Sequence, residues 1–261
     1  MGYETLSIEM PRPGIAWLAL NRPEAHNALS GAMLEELPRA VSELEHAADV
    51  RVVVLTGKGE SFCAGGDLRW MQEVSELDRA GRIAASGKIA RLLAALDGLK
   101  KPLIGRINGA AYGGGVGLVA VCDMAIAASQ ARFGMTEVRL GLVPANVGPY
   151  VVARLGEAKA REVFFNGKLF GAEEAVRLGL VARAVAADAL DGAVASEADH
   201  FLKCGPDAVA RAKALLRHIA RHGAAQSVEH AIAELADAWE GEESREGIAA
   251  FFARRKPRWA S

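Results

Sequence analysis

The sequence predicts an α/β protein: a mixed body over residues 1–190, followed by a helical region over 191–261. Three observations carry this. In the first half, short apolar or β-branched runs alternate with longer segments of helical periodicity. After about residue 157, Ala, Glu, Arg and Leu dominate, a composition that favours helix. No low-complexity linker or exact repeat divides the 261 residues.

The elements follow in order. Ile15 to Leu20 is read as a buried strand, stopped by the turn-forming Asn21-Arg22-Pro23-Glu24. Ser30 caps a helix to about His46, with Met33, Leu34, Leu37, Val41 and Leu44 at helical spacing. Arg51 to Thr56 is a strand, because Val52-Val53-Val54-Leu55 is too short and too β-branched to favour helix. A loop with Gly65-Gly66-Asp67 comes next, then a helix over 76–97 closed by Gly98. Pro102 opens a strand through Ile107. The cluster Gly113-Gly114-Gly115 with Gly117 precedes a helical Leu118-Val119-Ala120, and Met124 to Ala127 is strand. Helices are expected over 157–165, 172–178, 188–203, 206–222 and 226–239, and from about 243. This tail packs either on its own body or on a neighbouring subunit.

Composition narrows the function. The formal net charge of −1 gives no reason to expect a nucleic-acid partner. Cys63, Cys122 and Cys204 form no CxxC pair or Cys/His cluster, so they read as reduced thiols in a cytoplasmic protein. Met1 to Met10 carries two acids and no basic stretch before an apolar one, unlike a signal peptide. No uncharged apolar run is long enough for a membrane span.

The glycines fail the familiar phosphate templates. A dinucleotide fingerprint started at Gly113 would need a glycine at Leu118, and a P-loop ending in Gly167-Lys168 would need one at Glu162. No G-x-S-x-G elbow and no metal-ligand spacing among the six histidines is present, so no metal is expected. Two loops remain, Cys63-Ala64-Gly65-Gly66-Asp67 and Tyr112-Gly113-Gly114-Gly115, each after a strand and each opening a helix. Such loops present unsatisfied backbone N–H groups that suit an oxygen carrying negative charge. They are equally compatible with plain tight turns.

These loops belong to a longer ordered set. It runs from Asn21-Arg22-Pro23-Glu24-Ala25-His26-Asn27-Ala28-Leu29 to Ser61-Phe62-Cys63-Ala64-Gly65-Gly66-Asp67-Leu68, then to Asn108-Gly109-Ala110-Ala111-Tyr112-Gly113-Gly114-Gly115. Glu137-Val138-Arg139-Leu140-Gly141-Leu142-Val143-Pro144 and the C-terminal Phe251-Phe252-Ala253-Arg254-Arg255-Lys256 complete it. In this the chain resembles the crotonase (enoyl-CoA hydratase/isomerase) superfamily over nearly its whole length.

The resemblance implies a crotonase-type spiral of ββα units with a C-terminal helical trimerisation region. It implies a homo-oligomer, a trimer or a dimer of trimers, acting on an acyl-CoA thioester. No separate cofactor is implied, since coenzyme A is part of the substrate. It assigns the two oxyanion N–H groups to Gly66 and Gly114. It puts adenine and pantetheine contacts at Ala25, His26, Ala28, Ala64, Asp67 and Leu68. Lys256 of a neighbouring subunit would reach the CoA phosphates; as an alternative it is only an exposed basic tail.

Family hydratases flank the bound water with two glutamates. The second matches Glu137, which the resemblance makes the general acid/base; the N–H of Ala145 is a candidate to hold the water. The first falls on Gly117, which cannot move a proton. Three explanations follow: an isomerase that uses Glu137 as sole base, a substrate that brings its own acidic group, or a non-catalytic acyl-CoA-binding protein. Thr136 to Ala145, with Pro149-Tyr150-Val151-Val152, is similar to the bacterial methylglutaconyl-CoA or isohexenylglutaconyl-CoA hydratase branch, whose substrates carry a distal carboxylate. Hydration of such a substrate, in leucine or acyclic terpenoid breakdown, is the preferred reading. Arg139 reads as a salt-bridge residue or a cation for that carboxylate, Asn146 as a loop or substrate residue, and Tyr150 as packing. Trp70 and Met71 read as acyl-pocket or core residues.

Overall fold

In the computed structural model, which describes residues 2–260, the apolar runs pair as one six-stranded sheet. Strands β1 (Leu6–Arg12) and β2 (Gly14–Leu20) make an antiparallel hairpin. Then β3 (Val50–Gly57), β4 (Leu103–Ile107), β6 (Met124–Ala128) and β9 (Arg183–Val185) add in parallel, in the order β1-β2-β3-β4-β6-β9. The β3 run Val52-Val53-Val54-Leu55 is apolar at every position because both faces are covered. Val53 and Leu55 face a core shared with Leu18, Leu20, Leu103 and Ile107. Val52 and Val54 join Ile15, Ile104 and Ile126 on the other face.

Each of β2, β3, β4 and β6 leads through a short segment into a helix. β2 is followed by residues 26–29 and α1 (Gly31–His46); β3 by residues 63–66, α2 (Leu68–Ser75) and α3 (Arg79–Gly98). β4 is followed by β5 (Ala111–Tyr112) and α4 (Gly114–Ala120); β6 by β7 (Arg132–Gly134) and, after a loop, α5 (Gly148–Phe164). The chain closes the body through β8 (Phe170–Gly171), α6 (Ala172–Leu178) and β9. The short segments stack beside one another: Leu29 bridges Gly66, Cys63 bridges Ala111, and β5 pairs β7, which pairs β8. This is the spiral of strand–strand–helix turns that the resemblance implied.

Ser30 caps α1 as expected, its side chain accepting from Met33 N. The helix expected over 76–97 is α3, which starts at Arg79 because Asp78 caps it, accepting from Gly81 N at 2.7 Å; α2, capped by Asp67, is a separate helix before it. Non-helical Gly156 (φ 72°, ψ 155°) divides α5 in two: the second part begins at 157 as expected, and the first part, from Gly148, was not foreseen.

The helical region starts with α7 (Leu190–Leu202), whose Leu190, Val194 and Ala198 cover the outer face of the sheet. Then α8 (Pro206–His222), α9 (Ala224–Glu240) and α10 (Glu242–Phe252) fold back. Lys213 Nζ meets Asp123 Oδ2 at 2.6 Å, Arg217 donates to the Asp97 carbonyl, and Arg51 donates to the carbonyls of Cys204 and Trp259. The tail therefore rests on its own body, with Leu216, Val228, Ile232, Leu235, Trp239 and Phe252 exposed.

Candidate active site

The site forms where three successive turns of the spiral lie side by side. Leu29 N donates to Gly65 O (2.8 Å) and Asp67 N donates to Leu29 O (3.2 Å). This bridge uses the neighbours of Gly66 and leaves its own N–H turned away from Leu29. On the opposite side of the same segment, Tyr112 N donates to Cys63 O at 2.9 Å. The segments approach so closely that a Cβ on Gly65 would lie 2.8 Å from Tyr112 O and 3.6 Å from Gly114 N. A Cβ on Gly115 would overlap Cys63 O. The glycines thus permit contact between the two loops.

Gly114 is the first residue of α4, so its N–H has no acceptor within the helix. Among the described residues neither it nor the Gly66 N–H is paired, and both glycines are half-exposed. Gly113 holds φ 48°, ψ −112°, a conformation open to glycine, and donates its N–H to Gly134 O at 2.8 Å.

Glu137 enters from the next turn, as the first residue of a single 3-10 turn over Glu137–Leu140. Its carboxyl lies against Gly113: a Cβ there would be 3.2 Å from Oε1 and 3.6 Å from Oε2. Oε2 is buried and has no hydrogen-bond partner. Burial pushes the carboxyl above the ordinary carboxylate range, opposed only by its own backbone amide. Residues 66, 114 and 137 therefore share one small region, with two free donors and one proton-holding group.

The supporting residues are a polar cluster. Asp67 Oδ1 accepts from Arg69 N and Trp70 N, and its Oδ2 accepts from Arg22 Nη1 at 2.8 Å. Burial works against the Asp67 charge, but Arg22 and the two amides outweigh it and hold the pKa below the usual value. Arg22 also donates to Ala28 O. Asn27 is fully buried at φ 56°; its Oδ1 accepts from Arg22 N, and its Nδ2 donates to Lys58 O and Ser61 O. The sequence reading took Arg22 only as part of a turn and Asn27 only as part of the Ala25–Ala28 contact stretch, not as members of this cluster. Their signal was an Asn, tolerant of positive φ, after a proline turn.

The other candidates divide. His26 and Ala64 are joined by Ala64 N donating to His26 O at 3.0 Å, and His26 Nδ1 lies 3.0 Å from Ser61 Oγ. Ala25 and Ala28 flank them on the same segment, and Leu68 is 76% exposed at the start of α2. The Ala145 N–H is donated to Val143 O at 2.7 Å, so a tight turn already uses the donor expected to hold water. Lys256 is exposed beyond α10, and its side chain joins none of the contacts that build the site. Arg139 makes no ion pair among the described residues; its side chain lies over Gly167, where a Cβ would be 2.9 Å from Cγ. Cys63 is fully buried, with its thiol pushed up to about 12 by burial, as suits a core residue. Tyr150 packs against the core. Met71 Sδ lies 3.0 Å from the Cβ position of Gly66, and Trp70 lines a cleft of about 350 Å³ between α2 and α3 with Val74, Leu77, Ala85 and Lys88.

The family model described as "Enoyl-CoA hydratase/isomerase" matches residues 11–261. The chain belongs to the enoyl-CoA hydratase/isomerase family. This enoyl-CoA hydratase/isomerase chain is 35% identical over 267 residues to "Crotonyl-CoA hydratase" of Syntrophomonas wolfei, covering 100% of each chain. Among solved structures it is similar to an enoyl-CoA hydratase from Shewanella pealeana (TM-score 0.94, 32% identity, 98% of this chain and 96% of that one). It is also similar to Pseudomonas aeruginosa AtuE (TM-score 0.93, 37% identity, 99% and 100% covered). No helix of the described residues is long and apolar enough to cross a membrane.

Proposed function

We propose that the protein hydrates, or dehydrates to, a branched enoyl-CoA with a distal carboxylate, 3-methylglutaconyl-CoA being the type substrate. The observation that carries the chemistry is the carboxyl of Glu137, whose buried Oε2 has no partner, beside the free N–H groups of Gly66 and Gly114. In this reading the thioester oxygen accepts from both amides, which favour the enolate-like state by about 2.7–4 kcal/mol each. One water O–H bond breaks, its oxygen bonds to C3, and a proton is delivered to C2, with Glu137 as the protein group that moves it. A relative named for crotonyl-CoA hydration supports water addition as the reaction.

Purified protein with 3-methylglutaconyl-CoA, crotonyl-CoA and a 3-enoyl-CoA, products read by mass, tests this. A gain of one water is expected, greatest for the first. An isobaric product would favour isomerisation, the reading that a single carboxyl also serves. Tight thioester binding without product would make the chain a binding protein, but such a protein has no use for a buried, unpaired Glu137. For assembly, the exposed apolar residues of α8–α10 support a trimer or a dimer of trimers. Light scattering is expected to give three or six chains; a monomer would end that reading.

A further inference from the structure

Gly117 and Val147 stand apart from the machinery described so far. Gly117 lies three residues after Gly114 and four after Gly113, so these positions share one face of α4. A side chain at 117 would thus stand one turn from the free N–H of Gly114 and from the Gly113 backbone that Glu137 touches. That space is filled from outside. A Cβ on Gly117 would overlap Val147 Cγ1 and lie 2.9 Å from Val147 Cβ, with Leu93 Cδ2 at 3.5 Å. Val147 is buried at the N-cap of α5, and Gly117 is buried within α4, so neither backbone is free to withdraw.

The geometry points to Val147 as a specificity-determining residue that seals the α4 face with an apolar wall and confines the pocket to one carboxyl. Resting on the hydratase reading above, the second carboxylate is then the substrate's own. The substrate carboxylate takes a proton from the water as the water oxygen bonds to C3, and the protonated Glu137 delivers its proton to C2; Glu137 then regains a proton from solvent and the product carboxyl releases one, so atoms and charge balance without a further reagent. A simple 2-enoyl thioester brings no such group.

Two measurements test this. The first is thermal unfolding of a double-mutant cycle. Gly117→Ala is expected to lower Tm far more in the parent than in a Val147→Gly background, because the obstructing isopropyl group is gone. Equal costs in both backgrounds would overturn the steric assignment. The second is turnover. The parent is expected to hydrate 3-methylglutaconyl-CoA about 10²-fold faster than crotonyl-CoA, the lower end of what a positioned proton-transfer group contributes. Gly117→Glu combined with Val147→Gly is expected to raise crotonyl-CoA hydration at least ~10-fold over Val147→Gly alone. A folded double variant with no gain overturns the inference. So do equal parent rates on both thioesters, which leave hydration as the reaction but not the preference for the carboxylated substrate. A parent that hydrates neither thioester retires the substrate reading, whereas the unfolding cycle and the double variant still decide the role of Val147.

Discussion

Glu137→Gln separates catalysis from folding, because the two should move in opposite directions. The amide keeps the shape of the carboxyl but cannot carry the proton. A positioned acid/base contributes about 10²–10⁴-fold, or ~2.7–5.4 kcal/mol of barrier at 1.36 kcal/mol per tenfold. Turnover should fall by that factor. Binding of the CoA thioester should change little, since Oε2 makes no protein hydrogen bond whose loss could disturb the loops. Stability should rise at neutral pH. The folded-state pKa of Glu137 lies above its ordinary value of 4.5, so the folded protein holds a proton that the unfolded chain releases. Below the ordinary value both states are protonated and nothing is lost; as pH rises from there through the folded pKa, the wild type pays an increasing penalty that the glutamine variant avoids. Steady-state kinetics, calorimetric Kd and thermal melts at pH 4, 6 and 8 check all three. Turnover within threefold of wild type would refute the catalytic role. A Tm difference that stays constant with pH would refute the burial argument.

Other expectations follow from the site. Gly66→Pro removes one donor while sparing the bridge, which uses Gly65 O and Asp67 N; kcat should fall by about 10²–10³ with little change in affinity, and a pure KM effect would contradict it. Asp67→Ala should destabilise by about 3 kcal/mol, ~1 for the α2 cap and ~2 for the bond to Arg22, read by urea unfolding. Because the folded pKa of Asp67 is depressed, its contribution is complete above the ordinary value of 3.8 and is lost as pH falls through the folded value. Asn27→Ala removes three hydrogen bonds at a positive-φ residue and should cost about 2–4 kcal/mol; Asn27→Asp should cost at least as much, because a carboxylate would face the carbonyls of Lys58 and Ser61.

Most long elements were legible in the sequence because their signals are local; β1 (Leu6–Arg12) was not among those expected. The α1 stripe with its Ser30 cap, the β3 run and the helices over 172–178 and 206–222, which end at Gly179 and Gly223, each carry their signal within one window. What escaped is made by tertiary contact. β5, β7, β8 and β9 have two or three residues each, too few to show alternation, and they pair only because the spiral stacks them. At the site, Gly66, Gly114 and Glu137 were drawn from ordered motifs. Val147 was invisible because its partner is a glycine thirty residues away in sequence, and nothing in either local window links the two. The Ala145 N–H was misjudged for a similar reason: whether an amide is free depends on a turn that residue types alone do not fix.

The spiral also explains how groups far apart in sequence can act at one point. Each turn brings the chain back to the same edge, where it contributes one part: the Leu29 strand, the Gly66 amide, the Gly114 amide and the Glu137 carboxyl. Direction along that edge is set by register, because backbone N–H groups in an extended segment point alternately to either side. The bridge Leu29↔Gly66 is therefore what turns the Gly66 amide off its neighbour and leaves it unpaired. A slip of one residue would draw the Gly66 N–H into the bridge and free a neighbouring amide aimed elsewhere. Asp67, held by Arg22 on one side and by the first turn of α2 on the other, resists that slip from the adjoining position. Its charge is thus spent on the direction of an amide beside it rather than on any contact with the reacting atoms.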